Sequence, residues 1–437
     1  MDEGMDEGMD EGQRLTTREA AERLGVKPET VYAYVSRGQL TSRRDPRGRG
    51  STFDAEQVDA LARRGGREPS AGGDALPRIR TGITLIETDR YYFRGVDATE
   101  LARRFRYEEI AEWLWTGTLR EGIGFDAPEA LLVAARRAIG ALPAHSGSTD
   151  RLRVAAIAAA VADPLRFDLS RDAVLTTARA LIPTLVDALP VVEEPSRGTG
   201  RPVDRVDRVD RDGDDDGSLA RRLWSRLTAR PAGEPGVRAL DMALSLLIDH
   251  DLAASTLAVR VAASARAHPY AVVSAGLGAL EGPLHGSASG LAHRMLTEVL
   301  ERGSAAAVVA DHLRAGRPVP GLGHRLYPGR DPRAEALFTV LREVPGAGPV
   351  LTAAREVEAT TARHAPLHAN VDLALAVLSV TAGMPAEAGE TVFAVARTAG
   401  WIAHALEEYG EQPLRLRPNG QYNGPRPPGD LPGAGRL

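Results

Sequence analysis

A chain of 437 residues is too long for one ordinary core, so two or three domains are expected, and 43% apolar residues are enough to pack them. The absence of cysteine excludes disulfides, thiolate metal sites and cysteine nucleophiles, and the single lysine, Lys27, excludes lysine Schiff-base chemistry beyond the N-terminal segment. A net charge of −5 argues against nucleic-acid binding along the whole length. No apolar run approaches the roughly 20 residues of a membrane span, and the acidic start lacks a secretion pattern, so a cytoplasmic protein is the expectation.

Residues 1–12 read "MDEGMDEGMDEG", an acidic tetrapeptide repeat expected to be disordered. Residues 13–65 carry dense punctuation. Thr16 followed by Glu19 is a capping box, Gly25 ends that helix, and Pro28 opens a second helix closed by Arg37 and Gly38. A turn-rich hairpin candidate follows, "TSRRDPRGRGSTF", then a third helix capped by Asp54. Five arginines lie between Arg37 and Arg49 against one acid, Asp45. This order of helix-turn-helix, basic wing and helix resembles the winged helix-turn-helix of the MerR and excisionase families. The resemblance implies that Thr30, Tyr32 and Tyr34 face a DNA groove while Arg43, Arg44, Arg47 and Arg49 sit on phosphates. A small helical docking domain with a solvated basic face fits the same residues.

Residues 66–78 are rich in glycine and read as a flexible linker. Beyond them the texture changes to that of a mainly α protein: aromatics are only 5% and alanine is abundant. "ITLIETDRYYFRG" reads as a short hairpin. "ATELARRFRYEEIAEWLWTG", "APEALLVAARRAIGAL" and "TDRLRVAAIAAAVAD" each place apolar residues at helical spacing. Residues 193–218, with their repeated Val-Asp-Arg triplet, interrupt the pattern and read as a disordered insertion. Helices resume from "LARRLWSRL" onward, and the Pro- and Gly-rich tail is not expected to pack.

Four contexts carry chemistry. His250 lies in "LIDHDLAAST", where a solvated helical histidine is the simple alternative. His285 follows a Gly-Pro-Leu turn and precedes small residues, so it either caps a turn or stands beside a ligand that approaches the backbone closely. His324 lies in "GLGHRLYPGRDPRAEAL". There Arg333 falls in the first turn of a helix, unfavourable for the dipole unless a carboxylate or phosphate compensates it. Asp372 precedes "LALAVLSV" and reads alone as an N-cap.

Together "DHDLAAST", "GPLHG", "PGLGHRLYPGRDPRA" and "NVDLAL", bracketed by "YFRGVDATELA", "FAVARTAGWIAHALEE" and "LRLRPNGQYNG", resemble the citrate synthase family in order and spacing, over residues 80 to 425. The resemblance implies a citrate synthase fold over 79–437, with large and small helical domains, the smaller at roughly 270–375. It also implies condensation of acetyl-CoA with oxaloacetate to give citrate and CoA. Asp372 then matches the proton-abstracting base, His285 the residue that stabilises the enol, and His324 the one that polarises the ketone. His250, Arg333, Arg397 and Arg417 match oxaloacetate ligands, with Arg417 reaching into a neighbouring subunit of a homodimer. Gly321, Gly323 and Arg325 would lie along CoA. No metal or cofactor is implied.

The residue types suit this chemistry, because an aspartate alone is a poor base for a thioester α-proton and needs a donor to take up the enolate charge. A dicarboxylate substrate in turn calls for several arginines. One departure is "GSAS" after His285, where the family often has Gly-Gly-Ala-Asn, and this leaves open propionyl-CoA and 2-methylcitrate. The other alternative is a DNA-binding regulator that uses the citrate-synthase body as a metabolite sensor.

Overall fold

The computed structural model describes residues 14–36, 39–44, 50–64, 79–193, 217–282, 288–418 and 423–424. Arg37, Arg47, Arg49 and His285 lie outside the described residues, as do the acidic repeat, the linker from 65 to 78, residues 194–216 of the insertion, and the tail. The chain divides into two compact units, Met1–Ile79 and Arg80–Leu437.

The first unit runs β1 (Arg14–Thr16), α1 (Thr17–Leu24), α2 (Pro28–Ser36), β2 (Ser42–Arg44), β3 (Ser51–Asp54) and α3 (Ala55–Arg64). Thr16 starts α1 as expected: its hydroxyl accepts from Glu19 N at 3.3 Å, and Glu19 Oε2 accepts from Thr16 N at 2.7 Å. Gly25 ends the helix at φ 64°, and Pro28 opens α2. Asp54 accepts from Gln57 N at 3.1 Å at the start of α3. The sheet is antiparallel in the order β1-β3-β2, with Leu15 opposite Phe53 and Arg43 opposite Thr52. Three residues are too few to show alternation, so β1 leaves no mark in the sequence pattern. Ala20, Val31, Phe53 and Val58 are fully buried and centre a small core of this unit's own.

The second unit opens with a three-stranded sheet, β4 (Thr84–Ile86), β5 (Tyr91–Phe93) and β6 (Val96–Asp97). Helices α4 (Ala98–Arg104), α5 (Tyr107–Thr116), α6 (Glu129–Gly140), α7 (Ser148–Ala162) and α8 (Arg171–Ala188) follow. After the insertion come α9 (Leu219–Leu227), α10 (Glu234–Leu247), α11 (Ala254–Ser264) and α12 (Pro269–Leu280). The last group is α13 (Ala288–Arg302), α14 (Ala305–Arg314), α15 (Pro332–Leu341), α16 (Ala347–Ala362), α17 (Val371–Thr381) and α18 (Ala388–Tyr409). The stretch expected as one helix from residue 98 breaks between α4 and α5. Phe105 is extended there, and Glu109 accepts from Arg106 N at 2.8 Å to start a new helix.

Helix α18 is the axis of this unit. It packs on α5, α8, α10, α11 and α12, and most of its residues are buried. Aromatic side chains of α5 anchor to its backbone: Tyr107 Oη donates to Val395 O at 3.1 Å and Trp115 Nε1 to Ala399 O at 2.8 Å. Gly400 sets the closest approach, since a Cβ there would strike the Ile248 carbonyl oxygen. The chain just before His250 therefore lies directly on α18. Helices α13, α14, α16 and α17 pack chiefly on one another, α15 packs on α10 as much as on α17, and α12 packs on α7, α11 and α18.

Candidate active site

The site begins where α10 runs out. After Leu247 the chain passes through Ile248 and the fully buried Asp249 to His250, which is 7% exposed, then turns through Asp251 at φ 58° into α11. Aspartate tolerates this left-handed backbone better than most residues do. Asp249 is held below the usual carboxylate range, against its burial, by His404, Arg397 and Thr84, whose hydroxyl lies 2.5 Å from Oδ2. His250 is thus a buried residue of a loop rather than a solvated helical one.

The glycine-rich bend is clamped to the segment ahead of α17. Gly323 N donates to His368 O at 2.7 Å, Asn370 N to Gly321 O at 3.0 Å, and Asn370 Nδ2 to Gly323 O at 2.8 Å. Gly321 has φ 78°, and a Cβ on it would lie 2.8 Å from Leu373 Cβ, so the glycine is required by both conformation and packing. Asn370, and not Asp372, caps α17: its side chain accepts from Asp372 N at 3.0 Å. Asp372 therefore sits inside the first turn with its carboxylate uncommitted. Among the described residues no hydrogen bond reaches that carboxylate.

Asp331 joins the pieces. It caps α15 and accepts from Arg333 N at 3.0 Å, Arg333 Nε at 3.0 Å and Arg333 Nη2 at 2.8 Å. It also accepts from Val371 N at 3.1 Å, one residue before Asp372. The compensating partner that Arg333 needs in a first helical turn is thus internal, and it links α15 to α17. Arg397 enters from α18, donates through Nε to Leu247 O at 2.9 Å and lies 4.4 Å from the Phe393 ring centroid. No carboxylate among the described residues forms an ion pair with it.

His250, His324, Arg333, Asp372, Phe393 and Arg397 line a cleft of about 420 Å³, with Arg325 on its wall as well. The histidine rings stand 5.2 Å apart and nearly perpendicular. Tyr327 packs against both and its hydroxyl lies 2.8 Å from His250 Nε2. Burial, and then Arg333, push His324 down to about 4, so it is neutral at pH 7. Burial, with Arg333 and Arg397, likewise pushes His250 well below its ordinary value. Leu326 N donates to His324 Nδ1 at 3.1 Å, which leaves the single proton of the neutral ring on Nε2 as a donor. Burial raises Asp372 to about 6, with Arg333 opposing. Arg397 falls to about 10 through burial and remains a cation. The cleft thus offers a base poised near neutrality, a neutral hydrogen-bond donor and fixed positive charge, a set that suits proton abstraction beside a carbonyl in an anionic substrate.

Comparison with known proteins places this geometry. A family model described as the citrate synthase C-terminal domain matches residues 73–419, and one described as a helix-turn-helix domain matches residues 14–66. The chain belongs to the citrate synthase family. It is 31% identical to the citrate synthase of Haloferax volcanii over 359 residues, covering 78% of this chain and 92% of that protein. It is 27% identical to 2-methylcitrate synthase 2 of Corynebacterium glutamicum, over 78% of this chain and 90% of the relative. The structure of Thermoplasma acidophilum citrate synthase in ternary complex with carboxymethyl coenzyme A and oxaloacetate superposes with a TM-score of 0.64. That match has 24% identity, covers 83% of this chain and 98% of the other, and shows the shared fold. The protein is thus a citrate synthase-type enzyme of the acyltransferase class. Citrate synthases need no cofactor, and CoA enters as part of a substrate. No helix among the described residues is long and apolar enough to cross a membrane.

Set in a citrate synthase fold, six of the residues singled out in the sequence, His250, His324, Arg325, Arg333, Asp372 and Arg397, meet in one cleft. Gly321 is buried against Leu373, Gly323 lies next to His324, and Arg325 is exposed. Arg417 is exposed on a turn beyond α18 and does not line this cleft. On the first unit Thr30 is half-buried, while Tyr32, Arg43 and Arg44 are exposed. Sequence reasoning missed Tyr327, Asp331 and Asn370. Asp331 had a signal, because Asp-Pro at a helix start reads as an N-cap followed by a first-turn proline.

Proposed function

We propose that this protein condenses acetyl-CoA with oxaloacetate and water to give citrate and CoA, with Asp372 as the base. The observation that carries the reading is the Asp372 carboxyl, raised to about 6 by burial and uncommitted in a cleft it shares with neutral His324 and cationic Arg397. Asp372 takes the α-proton of the thioester. His285, placed by its "GPLHG" motif, donates to the enol oxygen as charge develops there. The enol carbon attacks the ketone carbon of oxaloacetate, and the ketone oxygen draws on the Nε2 proton of His324. Arg333, Arg397 and His250 hold the carboxylates, and Arg417 is supplied by a second subunit. Water then cleaves the thioester and releases CoA, which lies along Gly321 and Gly323 with Arg325 at its phosphates.

The smaller, closing part spans roughly residues 270–375, and helices α13, α14, α16 and α17, packed on one another, form its centre. A homodimer is supported by Ile157 and Val161, one turn apart on α7, and by Leu165 and Phe167 just beyond it, all more than half exposed. The test is thiol release with oxaloacetate and either acetyl-CoA or propionyl-CoA. Release with acetyl-CoA is expected. Faster release with propionyl-CoA moves the assignment to 2-methylcitrate, and release with neither sinks it.

A second reading concerns the first unit, where a helix-turn-helix match is joined to exposed Tyr32, Arg43 and Arg44. We propose that this unit binds DNA and that the enzyme body reports metabolite levels to it. Salt-sensitive DNA binding that shifts with oxaloacetate or CoA is the expected result. No binding at low salt removes this reading.

A further inference from the structure

Behind the cleft a second set of polar groups is buried and fully engaged. Asp249 Oδ1 is 3.1 Å from His404 Nε2, and His404 Nδ1 is 2.8 Å from Arg260 Nη1. Arginine only donates, so Nδ1 accepts and the His404 proton sits on Nε2, facing Asp249. Arg260 then donates to Glu407 at 2.7 Å and to Glu408 at 3.1 Å. Both oxygens of Glu408 also take Arg415, at 2.8 and 2.6 Å. His404, Arg260 and Glu408 are at most 1% exposed. The chain of contacts starts one residue before His250 and ends two residues before Arg417.

Beyond this bridge, the described residues after α18 are held by Arg266, which donates to Glu411 O at 2.6 Å, and by the buried Leu416. Leu414 takes φ 59°, a strained value for leucine, and its N–H donates to Ser264 O at 2.8 Å. Arg417 N donates to Leu414 O at 3.1 Å, closing one turn that displays the exposed Arg417 side chain. Arg415, at the centre of that turn, is its charged grip on the body of the enzyme, beside the buried Leu416.

We propose that Arg415 and Glu408 are positioning residues for Arg417: their bidentate bridge, backed by Arg260, fixes the turn so that Arg417 is presented at one orientation to the oxaloacetate site. Through His404 and Asp249 the same chain holds the loop that carries His250. The inference rests on the reading of Arg417 as an oxaloacetate ligand. Charge pairing of this kind, half of it fully buried, restricts the turn far more than an exposed pair would. An ångström of misplacement at such a ligand is enough to cost up to about a hundredfold.

The test is steady-state kinetics on the full-length chain with Arg415→Met, Arg415→Lys, Arg417→Ala and the double variant Arg415→Met/Arg417→Ala. Arg415 is a quarter exposed, which makes its substitution milder than one at Glu408. The expected result is a rise of about tenfold or more in KM for oxaloacetate with Arg415→Met, KM for acetyl-CoA within about twofold of wild type, and partial rescue by Arg415→Lys. If Arg415 acts only through Arg417, the double variant matches Arg417→Ala alone, a non-additivity that general loosening of the fold would not produce. A strong Arg417→Ala effect with a silent Arg415→Met, or with strictly additive effects, overturns the inference and leaves the oxaloacetate reading standing. A silent Arg417→Ala overturns that reading and the inference with it.

Discussion

Two clusters in the second unit are built from the same three residue types and behave in opposite ways. In the cleft stand Asp372, His324 and Arg397; where α18 meets α11 stand Asp249, His404 and Arg260. In the second set each charged group meets its complement: Asp249 takes His404 and Thr84, and Arg260 takes Glu407 and Glu408. In the first set Asp372 has no hydrogen-bond partner among the described residues, and Arg397 spends only its Nε on a carbonyl. The difference shows in the carboxylates. Asp249 lies below its ordinary value despite complete burial, whereas Asp372 is pushed up to about 6. A carboxylate half withdrawn from water and left without a partner is costly, so the fold retains it where a ligand completes it.

Removing the incomplete carboxylate is the sharpest way to break this comparison. Asp372→Asn is expected to cost about 10²- to 10⁴-fold in turnover while oxaloacetate binding persists, measured by thiol release and calorimetry. The same variant should not lose stability. A carboxyl whose folded value lies above its unfolded one costs stability when ionised, so Asp372→Asn should gain roughly 1–3 kcal/mol at pH 7.5 and nothing at pH 4 in urea unfolding. The completed cluster should respond the other way round. Arg260→Met leaves the fully buried Glu408 with Arg415 alone and Glu407 with the Gly82 N–H alone, and a loss of up to about 3–5 kcal/mol is expected in the same unfolding experiment. Equal stability losses from both variants would remove the distinction.

The pH profile sharpens the comparison further. The basic form of Asp372 exists above about 6, so kcat/KM should rise roughly tenfold per unit below that point and level off above it. His324, down at about 4, is already neutral across the rise. A limb centred near 4 instead would show that burial does not raise the Asp372 carboxyl. The smallest effect belongs to an exposed pair close by. Arg330 meets Glu335 at 2.8 Å in solvent, and Arg330→Ala is expected to change stability by less than about 1 kcal/mol.

The helices with periodic apolar faces were legible in the sequence, and so were the signals that start and stop α1 and the proline that opens α2. The residues that meet in the cleft were legible only as a set, because the motifs that carry His250, His324 and Asp372 resemble the citrate synthase family together, whereas His250 and Asp372 each read alone as something plainer. What the sequence hid was long-range partnership. Nothing near Arg333 tells that Asp331 would both pair with it and bind Val371 N, and nothing near Asp249 announces His404, 155 residues away. The break between α4 and α5 was hidden for a related reason. Apolar spacing continues across Phe105, and only the backbone cap by Glu109 shows that a new helix begins. Reading Asp372 as a cap failed because Asn370, two residues earlier, already fills that place.

Gly400 bears on how this protein can be engineered. Replacing a glycine inside a helix by alanine is a standard route to a hardier protein and is worth roughly 0.5–1 kcal/mol elsewhere. At 400 the added methyl would collide with the Ile248 carbonyl and drive the His250 segment off α18. A stabilisation campaign that scores positions by helix propensity alone would choose this residue early. It would lose activity at a position that touches no substrate.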